Sequence, residues 1–225
     1  MKPLNHLAVI PDGNRRWAEK NKKIKKRGHY EGMKRIVDTA SWSVEKDINY
    51  LTFFVFSTEN FNRDKKEVDY LMNLLFESLK GDLVDKMNKK GVRLNFLGKK
   101  EELPKKVRDA LDYSLKKTRE NSKMCMSLAI NYGGRAEVLD AVNQAIKKGE
   151  AVDEESFEDY LWSSDLPDID LMIRAGKERR ISNFLLWKLS YSELYFSQKL
   201  WPDFDEDLFN AIIEDYYNRQ RRFGR

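Results

Sequence analysis

The chain has 225 residues, 41% of them hydrophobic and among them 12 Phe, 10 Tyr and 5 Trp, enough apolar mass for a full core, which excludes a globally disordered chain. Lys and Arg total 42 against 37 Asp and Glu, a net charge of +5; that suits anionic ligands, but cations clustered at loops beside acids do not make a nucleic-acid-binding face, so no nucleic acid is expected. The lone Cys125, inside the apolar run Met124-Cys125-Met126, excludes an internal disulfide, fits a reducing compartment and reads as a small buried hydrophobe.

No repeat, low-complexity tract or Pro/Gly/Ser linker interrupts the chain, so residues 1–225 are expected to form one domain. The longest apolar runs are too short to span a membrane, and the start leads into a strand-like segment rather than a signal peptide. A cytoplasmic protein, at most peripheral to a membrane, is the expectation. Strand-like runs recur at 6–10, 50–56, 92–97, 124–130, 170–173 and 194–196. Helical patterns lie between most of them, at about 31–46, 104–118, 136–148 and 205–219. The clearest joins Val68, Leu71, Met72, Leu75, Phe76 and Leu79 on one helical face. Gly91, after Lys89-Lys90, reads as a helix stop. This alternation predicts an α/β fold: a mostly parallel sheet of about six strands, flanked by helices, with ligands bound beyond the strands' carboxyl ends.

The first strand runs into Pro11-Asp12-Gly13-Asn14-Arg15-Arg16-Trp17. A helix starting here aims N–H groups at an anion, the arginines add charge, and Asp12 makes sense in a phosphate cradle if it holds Mg²⁺. An ordinary Asp-Gly-Asn turn with solvated arginines fits the local sequence as well. Next come Lys20, Lys22, Lys23, Lys25, Lys26 and Arg27, then Gly28-His29. This is either a solvated loop or an anion-binding flap, with His29 a diphosphate contact or a structural histidine. After the second strand, Ser57-Thr58-Glu59-Asn60-Phe61-Asn62-Arg63 reads as a polar site floor or as a helix N-cap. After the fourth, Asn131-Tyr132-Gly133-Gly134-Arg135 reads first as a tight turn. The fifth leads into Arg174-Ala175-Gly176-Lys177-Glu178-Arg179-Arg180-Ile181-Ser182-Asn183, a second basic loop with a helix pattern starting near Ser182. Two basic loops at one sheet edge suggest two phosphorylated substrates side by side.

Nine ordered segments resemble the cis-prenyltransferase family, and most of all the bacterial undecaprenyl diphosphate synthases. They begin with His6-Leu-Ala-Val-Ile-Pro-Asp-Gly-Asn-Arg-Arg-Trp-Ala18, Gly28-His29, Phe56-Ser-Thr-Glu-Asn60 and Asn131-Tyr-Gly-Gly-Arg135. Asp170-Leu-Met-Ile-Arg174, Arg180-Ile-Ser-Asn-Phe-Leu-Leu-Trp187, Ser192-Glu-Leu-Tyr-Phe196, Leu200-Trp-Pro-Asp-Phe204 and Arg221-Arg-Phe-Gly224 complete the set. The resemblance implies an enzyme that condenses isopentenyl diphosphate with an allylic diphosphate, farnesyl diphosphate foremost, to give a long polyprenyl diphosphate for a glycan-carrier lipid. It implies Asp12 as the essential acid for Mg²⁺, assisted by Glu193. Gly13, Asn14, Arg16, His29 and Lys25 (where the family often has arginine) surround the allylic diphosphate, with Arg15 and Trp17 in the same segment. Arg174, Arg180 and Ser182 hold the isopentenyl diphosphate. Ser57 and catalytic Asn60 lie near the reacting carbons, with Thr58, Glu59, Phe61 and Arg63 in the same substrate-binding segment. A homodimer is implied, in which Arg222 and Gly224 reach the neighbouring subunit's site.

An apolar product needs an apolar tunnel between sheet and helices, for which Leu71, Leu75, Leu79, Phe53 and Val55 are candidates, and transient membrane contact for release. The family commonly has methionine at Pro11 and Thr-Gly-Gly at Ala175-Gly176-Lys177. The DDxxD motifs of the trans-acting synthases are absent from the sequence. A non-catalytic partner subunit is the alternative; such subunits tend to lack the acid and phosphate-binding residues that are present here.

Overall fold

The computed structural model describes residues 3–219. One six-stranded sheet holds β1 (His6–Ile10), β2 (Tyr50–Ser57), β3 (Val92–Leu97), β4 (Met124–Tyr132), β5 (Leu171–Arg174) and β6 (Glu193–Phe196) in the order β3-β4-β2-β1-β5-β6. Every pairing is parallel. The central strands are buried on both faces, as a parallel sheet requires: β1 and all nine residues of β4 lie out of water.

The helices are α1 (Asn14–Lys20), α2 (Lys25–Glu45), α3 (Lys65–Lys80), α4 (Asp82–Lys89), α5 (Lys105–Thr118), α6 (Gly134–Lys148), α7 (Glu154–Glu158) and α8 (Glu206–Asn218). The main core sets Leu7, Val9, Leu51, Phe53, Met126 and Ile173 of the sheet against α2 (Ile36, Ala40), α3 (Met72, Leu75), α5 (Val107, Leu111) and α8 (Phe209, Ile212). The periodic face expected on α3 is the face that buries. On the other side of the sheet one expected helix is absent. There Ala8, Ile10, Phe54, Ala129 and Met172 pack under Phe184, Leu185 and Leu189, and residues 181–192 run as turns, not as the helix expected near Ser182. Positive φ at Ser182, Asn183 and Leu185 breaks the helical pattern. Cys125 is free and buried, and burial raises its thiol pKa. Among the described residues no helix is long and apolar enough to cross a membrane.

After β1 the chain crosses to β2 on one side; after β5 it crosses to β6 on the other. The two loops diverge from adjacent strands and leave a crevice at their carboxyl ends, the position where open α/β sheets bind ligands.

Candidate active site

Strand register brings the crevice's chief charges together. Ile10, the last residue of β1, pairs with Arg174, the last of β5, so Asp12 just beyond stands over the Arg174 guanidinium. Asp12 Oδ2 accepts from Arg174 Nη2 at 2.9 Å and lies 3.2 Å from Arg16 Nη2. Arg174 is only 4% exposed. Its Nη1 donates to Ser182 Oγ at 2.6 Å and to the Arg180 carbonyl, and its Nε is buried without a hydrogen-bond partner among the described residues. A buried guanidinium with an unmatched N–H is poised to receive an anion's oxygen.

Two glycines let the loops meet. At Gly13 (φ 105) a Cβ would stand 2.9 Å from the Leu200 side chain; at Gly176 (φ 92) it would stand 2.8 Å from the Asp12 carbonyl oxygen and 2.9 Å from Arg16 Nη2. Only a residue without Cβ permits that approach. Across it, Arg16 Nη1 donates to Glu178 Oε1 at 3.3 Å, and Glu178 Oε2 accepts from Arg180 Nη1 at 2.6 Å. Asp12, Arg16, Arg174, Glu178 and Arg180 thus form one alternating array, three cations to two carboxylates.

The array borders two adjoining clefts. The larger, about 610 Å³, takes Asp12, His29, Ser57, Glu59, Asn60, Arg63, Arg174, Arg180, Ser182 and Asn183, with Ile10, Pro11, Phe54, Val55 and Leu71 as an apolar wall. The smaller, about 370 Å³, is lined by Asp12, Gly13, Asn14, Arg15, Arg16, Glu19, His29 and Arg63. Asp12, His29 and Arg63 line both. A narrow apolar pocket adjoins the larger cleft, sharing Pro11, His29, Val55 and Leu71 with it and adding Met33, Ile36, Phe56, Met72, Leu74 and Leu75.

His29 is partly buried, and desolvation lowers its pKa to about 4 although Glu67, 3.8 Å away, favours the charged form. The ring is therefore neutral near pH 7. Its Nε2 has no hydrogen-bond partner among the described residues, and neither has the buried Asn14 Oδ1. Glu67 also gathers Arg63 at 3.1 Å and Arg15 at 3.7 Å. The segment after β2 both caps a turn and lines the larger cleft. Ser57 caps a 3₁₀ turn over Thr58–Asn62 in a reciprocal box with Asn60, and both line the larger cleft. A register shift between Phe54 and Ser57 turns the strand end. For Glu59, partial burial favours the neutral acid, but hydrogen bonds outweigh it and lower the pKa, the strongest from Asn183 Nδ2 at 2.9 Å.

Other expected residues stand elsewhere. Trp17 Nε1 donates to Asp203 at 2.6 Å, tying α1 to the 3₁₀ turn at Trp201–Asp203. Lys25 is exposed on the first turn of α2 and lines neither cleft. Phe61 packs edge-on against Phe56, and Thr58 lies against Gly133. Glu193 opens β6, at the opposite end of the strands from Asp12, and pairs with Arg219 at 3.0 Å. Arg222 and Gly224 lie outside the described residues. Glu67, Glu178 and Asn183 are site residues that the sequence reading missed. Glu67 sits three residues after the helix-capping Asp64 and looks like a first-turn acid; Glu178 is hidden in a basic run. Asn183 joins three loops, through Glu59, the Arg135 N–H at 2.9 Å and the Gly134 N–H at 2.7 Å.

Among the described residues no three Asp, Glu, His or Cys side chains cluster as a protein-only metal site. Asp12, the carboxylate common to both cationic clefts, does fit Mg²⁺, which takes one or two carboxylates and completes its shell with substrate phosphates and water.

The model of a family described as putative undecaprenyl diphosphate synthase matches residues 10–224. An isoprenyl transferase of Thermotoga maritima is 45% identical over 229 residues, covering 100% of this chain and 98% of its own length. A geranylgeranyl-diphosphate-specific tritrans,polycis-undecaprenyl-diphosphate synthase of Thermococcus kodakarensis is 43% identical, over 98% of this chain and 86% of its own. Among solved structures, lavandulyl diphosphate synthase from Lavandula x intermedia, in complex with dimethylallyl diphosphate, superimposes with a TM-score of 0.94 at 34% identity over 98% of both chains. A probable undecaprenyl diphosphate synthase from Campylobacter jejuni gives 0.85 at 38% identity over the full length of both.

Proposed function

Since the chain belongs to the undecaprenyl diphosphate synthase family of cis-prenyltransferases, we propose that it condenses isopentenyl diphosphate repeatedly onto an allylic diphosphate, building a long polyprenyl diphosphate. Farnesyl diphosphate is the proposed primer and an undecaprenyl-length carrier-lipid precursor the proposed product. The observation that carries this reading is the pair of cationic clefts sharing Asp12. Gly13, Asn14, Arg15, Arg16 and His29 are assigned to the allylic diphosphate; Arg174, Arg180 and Ser182 to that of isopentenyl diphosphate.

Cleavage of the allylic C–O bond puts negative charge on the departing diphosphate and cationic character on carbon. Arg16, Arg15 and a neutral His29 N–H stabilise that anion where it forms. Arg174 and Arg180 fix the second substrate so that its double bond attacks the same carbon; loss of a proton then closes the step. Asp12 would hold Mg²⁺, which would supply neutralisation of the diphosphate charge. Ser57 and Asn60, on the cleft floor, orient the reacting carbons. The growing chain is assigned to the apolar pocket walled by Met33, Ile36, Leu71 and Leu75; each buried CH₂ contributes about 0.8 kcal/mol. The proposal includes a cytoplasmic homodimer, in which Glu193 and the tail residues Arg222 and Gly224 serve the neighbouring site. The distance of Glu193 from Asp12 along the strands supports a role across a pair rather than within one chain.

The test is incubation with labelled isopentenyl diphosphate, Mg²⁺ and, in parallel, farnesyl, geranylgeranyl and dimethylallyl diphosphates, followed by sizing of the extracted products. Long products from farnesyl diphosphate that vanish without metal support the reading. Preference for geranylgeranyl diphosphate corrects the primer, and no transfer from any primer overturns the reaction.

A further inference from the structure

Between Glu19 and Glu31 the sequence holds six basic residues and two acids. This short stretch therefore carries four charges of the chain's net +5. Lys20, Lys22, Lys23, Lys25 and Lys26 form no ion pair among the described residues. By contrast, Lys99, Lys100, Lys105 and Lys117 each meet a carboxylate. All five are exposed, and none lines either cationic cleft.

In their midst Ile24 is 72% exposed, and Tyr30, further along α2, is 44% exposed. Arg27 and Lys34 lie over the Tyr30 ring at 5.3 and 4.8 Å and share the carboxylate of Glu31. A single exposed apolar residue means little. An isoleucine and a tyrosine ringed by cations with flexible stems make the pattern of an interfacial surface.

We propose that this turn docks on an anionic phospholipid membrane, with Ile24 entering the headgroup layer, Tyr30 at the boundary and the lysines on lipid phosphates. The inference rests on the apolar polyprenyl product proposed above. Location supports it. The Tyr70 hydroxyl on α3 donates to the Lys26 carbonyl at 2.9 Å, and Lys26 Nζ lies 5.0 Å over the same ring. The next residue, Leu71, lines both the larger cleft and the apolar pocket. The basic turn is thus fastened beside the proposed chain pocket, and a product leaving there meets lipid before bulk water. An exposed isoleucine at the centre favours lipid over a nucleic acid, which it would contact without gain.

The experiment is sedimentation of the full chain, without substrates, with phosphatidylcholine vesicles that contain either none or about 30 mol % phosphatidylglycerol. Binding to the anionic vesicles is expected to weaken ~10-fold in Ile24→Ser and ~100-fold in Lys22→Glu/Lys23→Glu. Prenyl transfer in detergent should match the wild type in both, since neither variant touches a cleft residue. Equal wild-type binding to both vesicle types, or to neither, overturns the proposal. So does an Ile24→Ser variant that binds like the wild type while the lysine variant does not, an outcome that points to an acidic macromolecule. Prenyl transfer plays no part in the vesicle readout, so binding without any transfer sinks the assigned reaction and leaves the membrane surface standing.

Discussion

The loops after β1 and β5 deliver the two cationic halves of the crevice by different means. The β1 loop is local: one left-handed glycine, Gly13, turns the chain directly into α1, which carries Arg15 and Arg16 on its first turn. The β5 loop enters no helix and has positive φ at Gly176, Lys177, Ser182, Asn183 and Leu185. It is held largely by distant partners: Arg174 by Asp12, Glu178 (which in turn holds neighbouring Arg180) by Arg16, and the loop's end by Asn183 on Glu59. A helix presents its side chains through its own backbone, whereas a coil needs the rest of the site to hold it. Asp12 is where the two constructions depend on each other.

Removing Asp12 breaks the comparison most sharply. Asp12→Ala is expected to lower the transfer rate on the order of 10³-fold. Asp12→Asn keeps the shape but leaves Arg174 and Arg16 without their carboxylate, so isopentenyl diphosphate should bind as tightly as to the wild type or a few-fold more tightly, ~2–5-fold. Single-turnover rates and equilibrium binding separate the two effects. A loss of affinity as large as the loss of rate would make Asp12 a scaffold for the β5 loop instead.

Arg174→Ala tests the division of labour. The KM for isopentenyl diphosphate should rise on the order of 100-fold, while that for the allylic diphosphate moves less than ~5-fold, and Arg174→Lys should recover only part because the fork to Asp12 and Ser182 is lost. Steady-state kinetics with each substrate varied in turn gives the answer; equal rises would mean one shared anion site.

The same two strands are joined at their other ends by a buried histidine and a carboxylate. His6 Nδ1–H donates to the Pro167 carbonyl, Nε2 accepts from the Thr52 hydroxyl, and Asp170 accepts from the Asn5 and His6 N–H groups. Burial lowers the His6 pKa from 6.5 to about 4. The unfolded chain therefore takes up the proton first. Stability is full above pH 6.5 and is lost as pH falls from there toward about 4, by roughly 3 kcal/mol for this one group. Denaturant titrations across that range should show a shallower acid slope in His6→Gln; an unchanged slope would assign the loss to other groups, His29 foremost.

What the sequence disclosed follows the same division. The strands, the α3 face and the Asp12–Arg16 cradle are set by neighbours in the chain, through periodicity and one turn, and they were legible. The roles of Glu67, Glu178 and Asn183 were not. Asn183 meets Glu59 across 124 positions, and Glu178 meets Arg16 across 162; no local pattern encodes such a pair. The expected helix at Ser182 failed for a related reason: Phe184, Leu185 and Leu189 are all buried against the sheet, so their apolar run reads as a helix face although the backbone beneath them turns.

Lys177 offers the finest probe of the β5 loop. The family commonly has glycine there, and Lys177 holds φ at 72 while its N–H donates to the Ser197 carbonyl at 2.9 Å. A left-handed conformation costs a residue with a Cβ about 1–2 kcal/mol. Glycine removes that strain but adds freedom to the unfolded chain, a penalty of roughly 0.4–1 kcal/mol. Lys177→Gly should therefore be more stable by about 0.5 kcal/mol, and Lys177→Ala, which keeps the strain, should not. If the lysine is kept for its charge, three residues after Arg174 in the same loop, both variants will raise the isopentenyl diphosphate KM ~2–5-fold, whatever they do to stability. Thermal unfolding read beside that KM decides whether the strain serves the substrate or only the turn.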